Sequence, residues 1–209
     1  MSPALVRSSL LLVLVVALGS PAFAVNLVTN PGFAGNLNGW SAAGNVTYDS
    51  TNDATGVPGS GSAKSTFVAG GASTQLALSE CIAAGPGSYT LGGKVLIPNG
   101  QAVGGQGLIT VSFFSAPGCS SGLLTFDSVS TGTTGSFQTL SKPVTAPAGT
   151  VAIWVTGQNN AAAAGTHIVN WDDFVLDNGV APPIPALGGW ELLALVAMIA
   201  AIGALALRR

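Results

Sequence analysis

Short stretches in which apolar and polar side chains alternate constrain this chain more than any other feature. Between residues 108 and 114, Ile109, Val111 and Phe113 alternate with hydroxyl-bearing residues. Because successive side chains of a β-strand point to opposite faces, this period of two puts the three apolar residues on one face. No segment before the C-terminal tail shows the spacing of an amphipathic helix. The pattern therefore predicts an all-β domain.

Turns rich in glycine, proline, serine and asparagine divide the chain into about eight to ten such stretches. The clearest lie at residues 88–97, 108–114, 151–155 and 166–176. Residues 49–62 are rich in Gly, Ser and Asn and predict a long surface loop. Many short strands with frequent turns are typical of antiparallel sandwiches and barrels, and we expect a jelly-roll β-sandwich.

The N-terminal residues have the pattern of a secretory signal peptide. Arg7 precedes an apolar run at residues 10–18, and Ala22-Phe23-Ala24 supplies the small residues that a signal peptidase reads. We therefore expect residues 1–24 to be removed and the domain at residues 25–178 to be exported.

The C-terminal residues predict a membrane anchor. A proline-rich linker at residues 179–186 leads into an apolar segment at residues 187–209, which ends in Arg208-Arg209. From residue 187 to residue 207, a helix rising about 1.5 Å per residue reaches about 30 Å, the thickness of a bilayer core. The paired arginines favour the cytoplasmic side, which puts the domain on the opposite side. The alternative, two buried helices of a cytosolic protein, is disfavoured by the length and flanking charge of both terminal runs.

Within this tail, Ile184-Pro185-Ala186-Leu187 is followed by Gly188-Gly189-Trp190, the apolar run and the arginines. This order resembles a family of bacterial C-terminal protein-sorting domains that open with an Ile-Pro-Thr-Leu motif, although Ala186 stands where the family has Thr. The matching residues are Ile184, Pro185, Leu187, Trp190, Arg208 and Arg209. The resemblance implies a bacterial envelope protein whose tail is recognised by a sorting peptidase, and a plain anchor is the alternative.

The first and last predicted strands carry further motifs. Residues 26–33 read Asn-Leu-Val-Thr-Asn-Pro-Gly-Phe and are followed by Gly39-Trp40, and residues 168–176 read Ile-Val-Asn-Trp-Asp-Asp-Phe-Val-Leu. In this order, and with the turn at Pro147-Ala148-Gly149 between them, they resemble the opening and closing strands of carbohydrate-binding modules of the cellulose- and xylan-binding, galactose-binding-like type. The resemblance implies a jelly-roll fold, which hosts sugar binding, adhesion and purely structural roles.

The resembling modules carry a structural Ca²⁺ that joins the first strand to the last. The resemblance maps Asp172 onto the calcium-binding Asp of the closing strand, but Ala34 occupies the place of the second acidic ligand. A calcium ion takes about six to eight oxygen ligands, so this loss predicts weak binding, with Gly32 and Asp53 as substitute ligands. The alternative is that Asp172 only accepts backbone hydrogen bonds.

The exported domain contains two cysteines, Cys81 and Cys119, each at the end of a predicted strand. An oxidising compartment favours a disulfide between them. Free thiols or a metal pair are the alternatives, but His167 is the only histidine of the chain and no second ligand cluster supports a metal.

Charge excludes one class of partner. Only 7% of the residues are charged, and the net charge is −2 at pH 7. The exported domain contains three lysines and seven acidic residues. The chain offers no basic patch, so we expect no nucleic-acid partner.

Sugar recognition needs exposed aromatic rings, because a flat apolar ring stacks on a pyranose face beside hydrogen-bonding amides. Trp154 has the strand parity opposite to the apolar row around it, although packing within the sheet or core is its alternative role. Trp40 and Trp171 match core positions of the resembling modules. The predicted sugar contacts are Trp154, Gln158, Asn159, Phe114 and Gln106.

Enzymatic chemistry has little support. Residues 118–122 match the Gly-x-Ser-x-Gly nucleophile elbow, with Asp127 and His167 after them in hydrolase order. That motif requires a helix after the turn, whereas residues 123–126 continue as a strand, so we expect a hairpin tip instead. The adjacent carboxylates of Asp172 and Asp173 would point to opposite faces of a strand and cannot act as a glycosidase pair.

The sequence thus predicts an exported, non-catalytic jelly-roll domain that binds a polysaccharide or surface glycan and is displayed on a bacterial envelope by its tail. The alternative is a structural or adhesive envelope protein of the same fold without a sugar site. Exposure of Trp154 distinguishes the two.

Overall fold

The computed structural model describes residues 24–178, which contain ten β-strands and one short 3₁₀ turn. The predicted signal peptide, linker and C-terminal anchor, with the sorting residues Ile184 to Arg209, lie outside the described residues. Within residues 24–178, no helix is long and apolar enough to cross a membrane.

The strands begin and end close to the turns that the sequence marks. They are β1 (Ser41–Ala42), β2 (Val46–Asp49), β3 (Ser62–Ala69), β4 (Ser73–Ala83), β5 (Gly87–Leu96), β6 (Gly105–Phe114), β7 (Leu123–Thr131), β8 (Gln138–Ala146), β9 (Ala152–Ala161) and β10 (Gly165–Asp177), and the 3₁₀ turn is Pro117–Cys119. The long loop expected at residues 49–62 is present between β2 and β3.

Two five-stranded sheets form the domain, and every pairing between the strands is antiparallel. Sheet I has the order β1-β4-β9-β6-β7, and sheet II has the order β2-β3-β10-β5-β8. Strands β3 to β10 interleave between the sheets as β4-β9-β6-β7 and β3-β10-β5-β8, which is the strand order of a jelly roll. The predicted antiparallel jelly-roll sandwich is confirmed.

The inner faces of the two sheets form the core. Ile109, Val111 and Phe113 of β6 are at most 1% exposed, as their alternation predicts. Val151 was expected to continue the apolar row of β9, and this was wrong: it precedes the strand, donates its N–H to Phe114 O and is 44% exposed. The row of β9 starts at Ile153.

The first and last segments of the domain meet, as the resemblance implied. Leu27 N–H donates to Leu176 O at 3.0 Å. The rings of Phe33, Trp40 and Phe174 pack together beside this junction, with centroid distances of 5.8, 6.1 and 4.5 Å. Trp40 is 9% exposed and Trp171 is 0% exposed, so both predicted core tryptophans are in the core.

Candidate functional site

A row of small hydroxyl-bearing side chains crosses the outer face of sheet I. Its five residues are Cα partners on successive strands, in the order Ser128, Thr110, Thr156, Ser79 and Ser41. Four strand spacings of about 4.8 Å make this hydroxyl row about 19 Å long. The three central members, Thr110, Thr156 and Ser79, are at most 9% exposed although they face outward.

Larger side chains stand on both sides of the hydroxyl row. On one side, Phe126, Ser112 and Trp154 are Cα partners across β7, β6 and β9. On the other side, Leu108, Gln158 and Leu76 are partners across β6, β9 and β4. The hydroxyl row lies between these two banks of flanking residues and runs across the strands, and we call the row with its two banks the groove. At its β1–β4 end, Ser41, Leu76 and Ser79 help to line a depression of about 280 Å³.

Two aromatic rings stand on the same bank of this groove. Phe126 is 66% exposed, and Trp154 is half-buried. The indole of Trp154 meets the ring of Phe114 edge-on, with centroids 6.5 Å apart. Because only one strand separates them, Phe126 and Trp154 lie about 10 Å apart in the hydrogen-bonding direction of the sheet. Trp154 is therefore not a core residue, but its contact with Phe114 is packing on the outer face of the sheet, and sugar binding by Trp154 stays a prediction.

The predicted disulfide closes one end of this bank. Cys81 and Cys119 are joined, and Cys81 is the Cα partner of Trp154 on β4. The bond ties the loop at residues 115–122 against β4 beside the indole. That loop joins β6 to β7, so the Gly-x-Ser-x-Gly sequence is a hairpin connection, as expected, rather than a nucleophile elbow.

Gln158 lies where a ligand in the groove could reach it. It faces outward, and its Nε2 donates to Thr156 Oγ1 at 3.1 Å. Gln106 is exposed at the outer end of the same face, opposite Asn160. Both side chains face outward, and their contact with sugar stays a prediction.

Two other predicted sugar contacts are wrong. Asn159 is 0% exposed and points inward, since strand parity turns Gln158 and Asn160 outward and the residue between them toward the core. Its Nδ2 donates to His167 O at 3.1 Å, and its Oδ1 lies 2.6 Å from His167 Nδ1. Phe114 is 7% exposed, because the loop after β6 covers it.

The sequence reasoning missed Phe126 and the hydroxyl row. The sequence pattern marks Phe126 only as part of the continuing strand at residues 123–126. Threonine and serine at alternate strand positions are too common to single out, and only the register of the sheet joins them into one line.

The predicted calcium residues converge on the outer face of sheet II. A Cβ atom at Gly32 would lie 3.8 Å from Asp172 Oδ1 and 3.2 Å from Asp173 Oδ1. Asp172 is 0% exposed, and its Oδ2 accepts the N–H of Ala54, the residue after Asp53, at 2.8 Å. Burial raises the pKa of Asp172 to about 6.

The oxygens at this place are engaged by protein donors, so they do not fit a calcium ion as they stand. Asp172 Oδ1 accepts the N–H of Asp173 at 2.7 Å, and Asp53 Oδ1 accepts from Thr55. The ammonium of Lys94 lies 2.9 Å from Asp173 Oδ2 and 3.4 Å from Ala54 O. A cationic side chain therefore occupies the position beside these carboxylates. Among residues 24–178, no three His, Cys, Asp or Glu side chains form a group that could hold a metal.

The residues of the formal hydrolase pattern are kept apart. His167 is 0% exposed and bonded to Asn159, and burial lowers its pKa. Asp127 pairs with Lys142 on β8, which holds the pKa of that carboxyl below its usual value.

No protein-family profile matches the chain, and no curated protein matches it. Solved structures share its fold. The carbohydrate-binding module TmCBM61, in complex with β-1,4-galactotriose, is 21% identical with a TM-score of 0.52, over 74% of this chain and 99% of that one. The arabinose-bound α-L-arabinofuranosidase MgGH51 is 16% identical with a TM-score of 0.53, over 76% of this chain and 27% of that one. The enzymatically active domain of bacteriophage CBA120 tailspike protein 4 is 15% identical with a TM-score of 0.50, over 72% of this chain and 21% of that one.

At these identities the likeness shows the fold alone. TmCBM61 consists almost entirely of this β-sandwich, whereas the match covers about a quarter of the arabinofuranosidase and of the tailspike domain.

Proposed function

We propose that the groove on sheet I binds a glycan chain without cleaving it. The observation that carries the proposal is the pairing of a hydroxyl row with two aromatic rings on one bank, Phe126 and Trp154. The rings offer flat apolar surfaces for sugar faces, and Gln158 and the two end members of the row, Ser41 and Ser128, offer hydrogen bonds to sugar hydroxyls. Because the row is about 19 Å long, its ligand is an oligosaccharide segment rather than one sugar.

The structural likeness supports this ligand class. TmCBM61 was solved with β-1,4-galactotriose, and the arabinofuranosidase MgGH51 was solved with bound arabinose. In this chain, the separation of Asp127 from His167 and the hairpin character of the Gly-x-Ser-x-Gly segment support a binding role rather than a catalytic one.

The protein is exported and displayed on a bacterial envelope by its C-terminal tail. The signal-peptide pattern at residues 1–24 and the order of linker, apolar run and arginines at residues 179–209 support this part of the proposal. The tail is a substrate of a sorting peptidase.

Affinity electrophoresis in gels containing galactan, xylan or cellulose derivatives tests the groove. We expect at least one polysaccharide to retard the full chain, purified in mild detergent, and Phe126→Ala to remove most of that retardation. Val68→Ala is the matched control, since Val68 is 72% exposed on sheet II and lies outside the groove. Equal retardation of Phe126→Ala and the wild type would overturn the groove as the binding site, and a wild type that no polysaccharide retards would leave the structural or adhesive role.

A further inference from the structure

On the outer face of sheet II, a glycine is surrounded by outward-facing side chains of three neighbouring strands. Val175, Gly92 and Ser141 are Cα partners across β10, β5 and β8. Lys94 and Thr90 face outward on either side of Gly92 along β5. Since every neighbour carries a side chain and Gly92 does not, a pit of about 400 Å³ opens above it. We call it the glycine pit.

The pit is built into the strand pairing. A Cβ atom at Gly92 would lie 2.4 Å from Leu140 O, a distance that real Cβ atoms essentially never show, and 3.3 Å from Ser141 Cα. The close approach of β8 therefore requires glycine at this position. The floor of the pit cannot be filled without moving an edge strand.

A strand irregularity supplies one wall. The pairing of β10 with β5 shifts between Asp172 and Val175, and Asp173 has a φ of 46°. Residues other than glycine seldom adopt this left-handed conformation, and such bulges often re-aim a side chain beside a functional site. Here Asp173 lines the pit, and its Oδ2 lies 2.9 Å from Lys94 Nζ. The side chain of Asp173 is 30% exposed, and that of Lys94 is 29% exposed.

The rim combines groups that suit a sugar ring. The carboxylates of Asp173 and Asp177 accept hydrogen bonds from hydroxyls, and Lys94 donates them. Thr90 and Ser141 do both, and Val175 offers an apolar wall. Two carboxylates against one ammonium disfavour anionic ligands such as uronic acids or sulfated sugars. A volume of about 400 Å³ lies near the lower end of ligand pockets, which suits one sugar unit rather than a chain.

We infer that the glycine pit binds a single neutral sugar unit, as a second saccharide site on the sheet opposite the groove. The inference rests on the proposed function only for its ligand class, because no residue of the pit belongs to sheet I. With one site on each outer face of the sandwich, one molecule can bridge two glycan chains.

The test is an NMR titration of the ¹⁵N-labelled full chain in mild detergent with D-galactose and with D-xylose. We expect at least one sugar to shift the amide resonances of Gly92, Thr90 and Ser141 with saturation at millimolar concentrations. Ser141→Phe places a ring over the pit from an exposed position on edge strand β8 and should weaken this binding at least tenfold. Asp177→Asn fills no space and should weaken sugar binding severalfold. It is the variant to use if Ser141→Phe disturbs folding.

Phe126→Ala separates the two sites. It should leave the titration at Gly92 unchanged while it removes retardation by polysaccharide. Binding at Gly92 in a protein that no polysaccharide retards would support the pit and overturn the groove. No saturable shift at Gly92 with either sugar would overturn the pit, and so would unchanged titration in Ser141→Phe and Asp177→Asn.

Discussion

Phe126 and Trp154 lie in one outward row of sheet I, and Ser112 is the only residue between them in that row. The two rings belong to strands on either side of β6, so a rigid sheet fixes their spacing. They stand beside the hydroxyl row and not within it, so a ligand that stacks on both rings would lie along the row.

The two rings should contribute independently to glycan binding, because each would stack on a different sugar unit. Phe126→Ala and Trp154→Ala should each weaken binding about ten- to a hundredfold, or about 1 to 3 kcal/mol. Since the two residues lie two strand spacings apart, about 10 Å, the double variant should show the sum of the two losses. Calorimetry with the polysaccharide identified by electrophoresis measures the affinity of the wild type, the two single variants and the double variant. A collapsed melting curve in Trp154→Ala would instead assign the indole to the stability of the sheet.

The Cys81–Cys119 bond should stabilise both the domain and the groove. It closes a loop with a sequence separation of 38 residues, and the chain-entropy model gives such a loop about 3 to 4 kcal/mol of stability. Urea unfolding of Cys81→Ala/Cys119→Ala against the wild type measures this loss. Because Cys81 is the Cα partner of Trp154, the variant should also bind glycan more weakly at temperatures where it remains folded. Equal midpoints with and without the bond would contradict the prediction.

Lys94 should make the wild type nearly insensitive to calcium. Its ammonium already lies beside Asp173 and Ala54, so a divalent ion would have to compete with it. Lys94→Met should melt at a lower temperature in chelator and regain part of the loss in millimolar Ca²⁺, because an ion that binds only the native state stabilises by mass action. Lys64→Met, on neighbouring β3, is the control and should show no calcium response. A wild type that calcium stabilises by many degrees would show that Lys94 does not exclude the ion.

The contribution of Asp172 to the free energy of unfolding should fall as pH rises. Burial raises its pKa from 3.8 to about 6, so the native state holds the proton more tightly than the unfolded chain. This contribution is fully present below pH 3.8 and is lost as pH rises through about 6. A shift of about 2 pKa units corresponds to about 3 kcal/mol. The difference in unfolding free energy between the wild type and Asp172→Asn should therefore change by up to that amount between pH 4 and pH 7.

His167 makes the opposite contribution, because burial lowers its pKa and acid protonates the unfolded state first. Both proteins contain His167, so its effect cancels in the difference between them. A difference that stays constant with pH would mean that Asp172 titrates normally.

Removal of residues 184–209 should release the protein from the envelope fraction, if the apolar run is its anchor. Cell fractionation and immunoblotting of the truncated and full chains measure this. Cleavage near Pro185 in the mature full chain indicates a sorting peptidase, whereas an intact tail indicates a permanent anchor. A truncated protein that stays with the membranes has its tether elsewhere.

Local periodicity was enough to predict the fold class. The alternation around Ile109 and Val111 marks a strand with one buried face, and hydrophobic burial enforces that pattern whatever the partners of the strand. The same logic predicted that Trp154 points away from the core. The prediction for Asn159 was wrong because the predicted strand ended at residue 155, whereas β9 continues to Ala161 and strand parity turns Asn159 inward.

The candidate site depended on tertiary structure. Phe126 and Trp154 are far apart in the chain, and neither residue carries a local signal that connects them. The pairing of β7 with β6 and of β6 with β9 decides that they share a row. The glycine pit has the same origin, since Gly92 is an ordinary strand glycine until β8 and β10 place side chains around it. The sequence by itself determined the alternation of inward and outward residues within a strand such as β6, because the pleat of a strand is local. Only the sheet register decided which of those residues meet, because register is set by packing between distant segments.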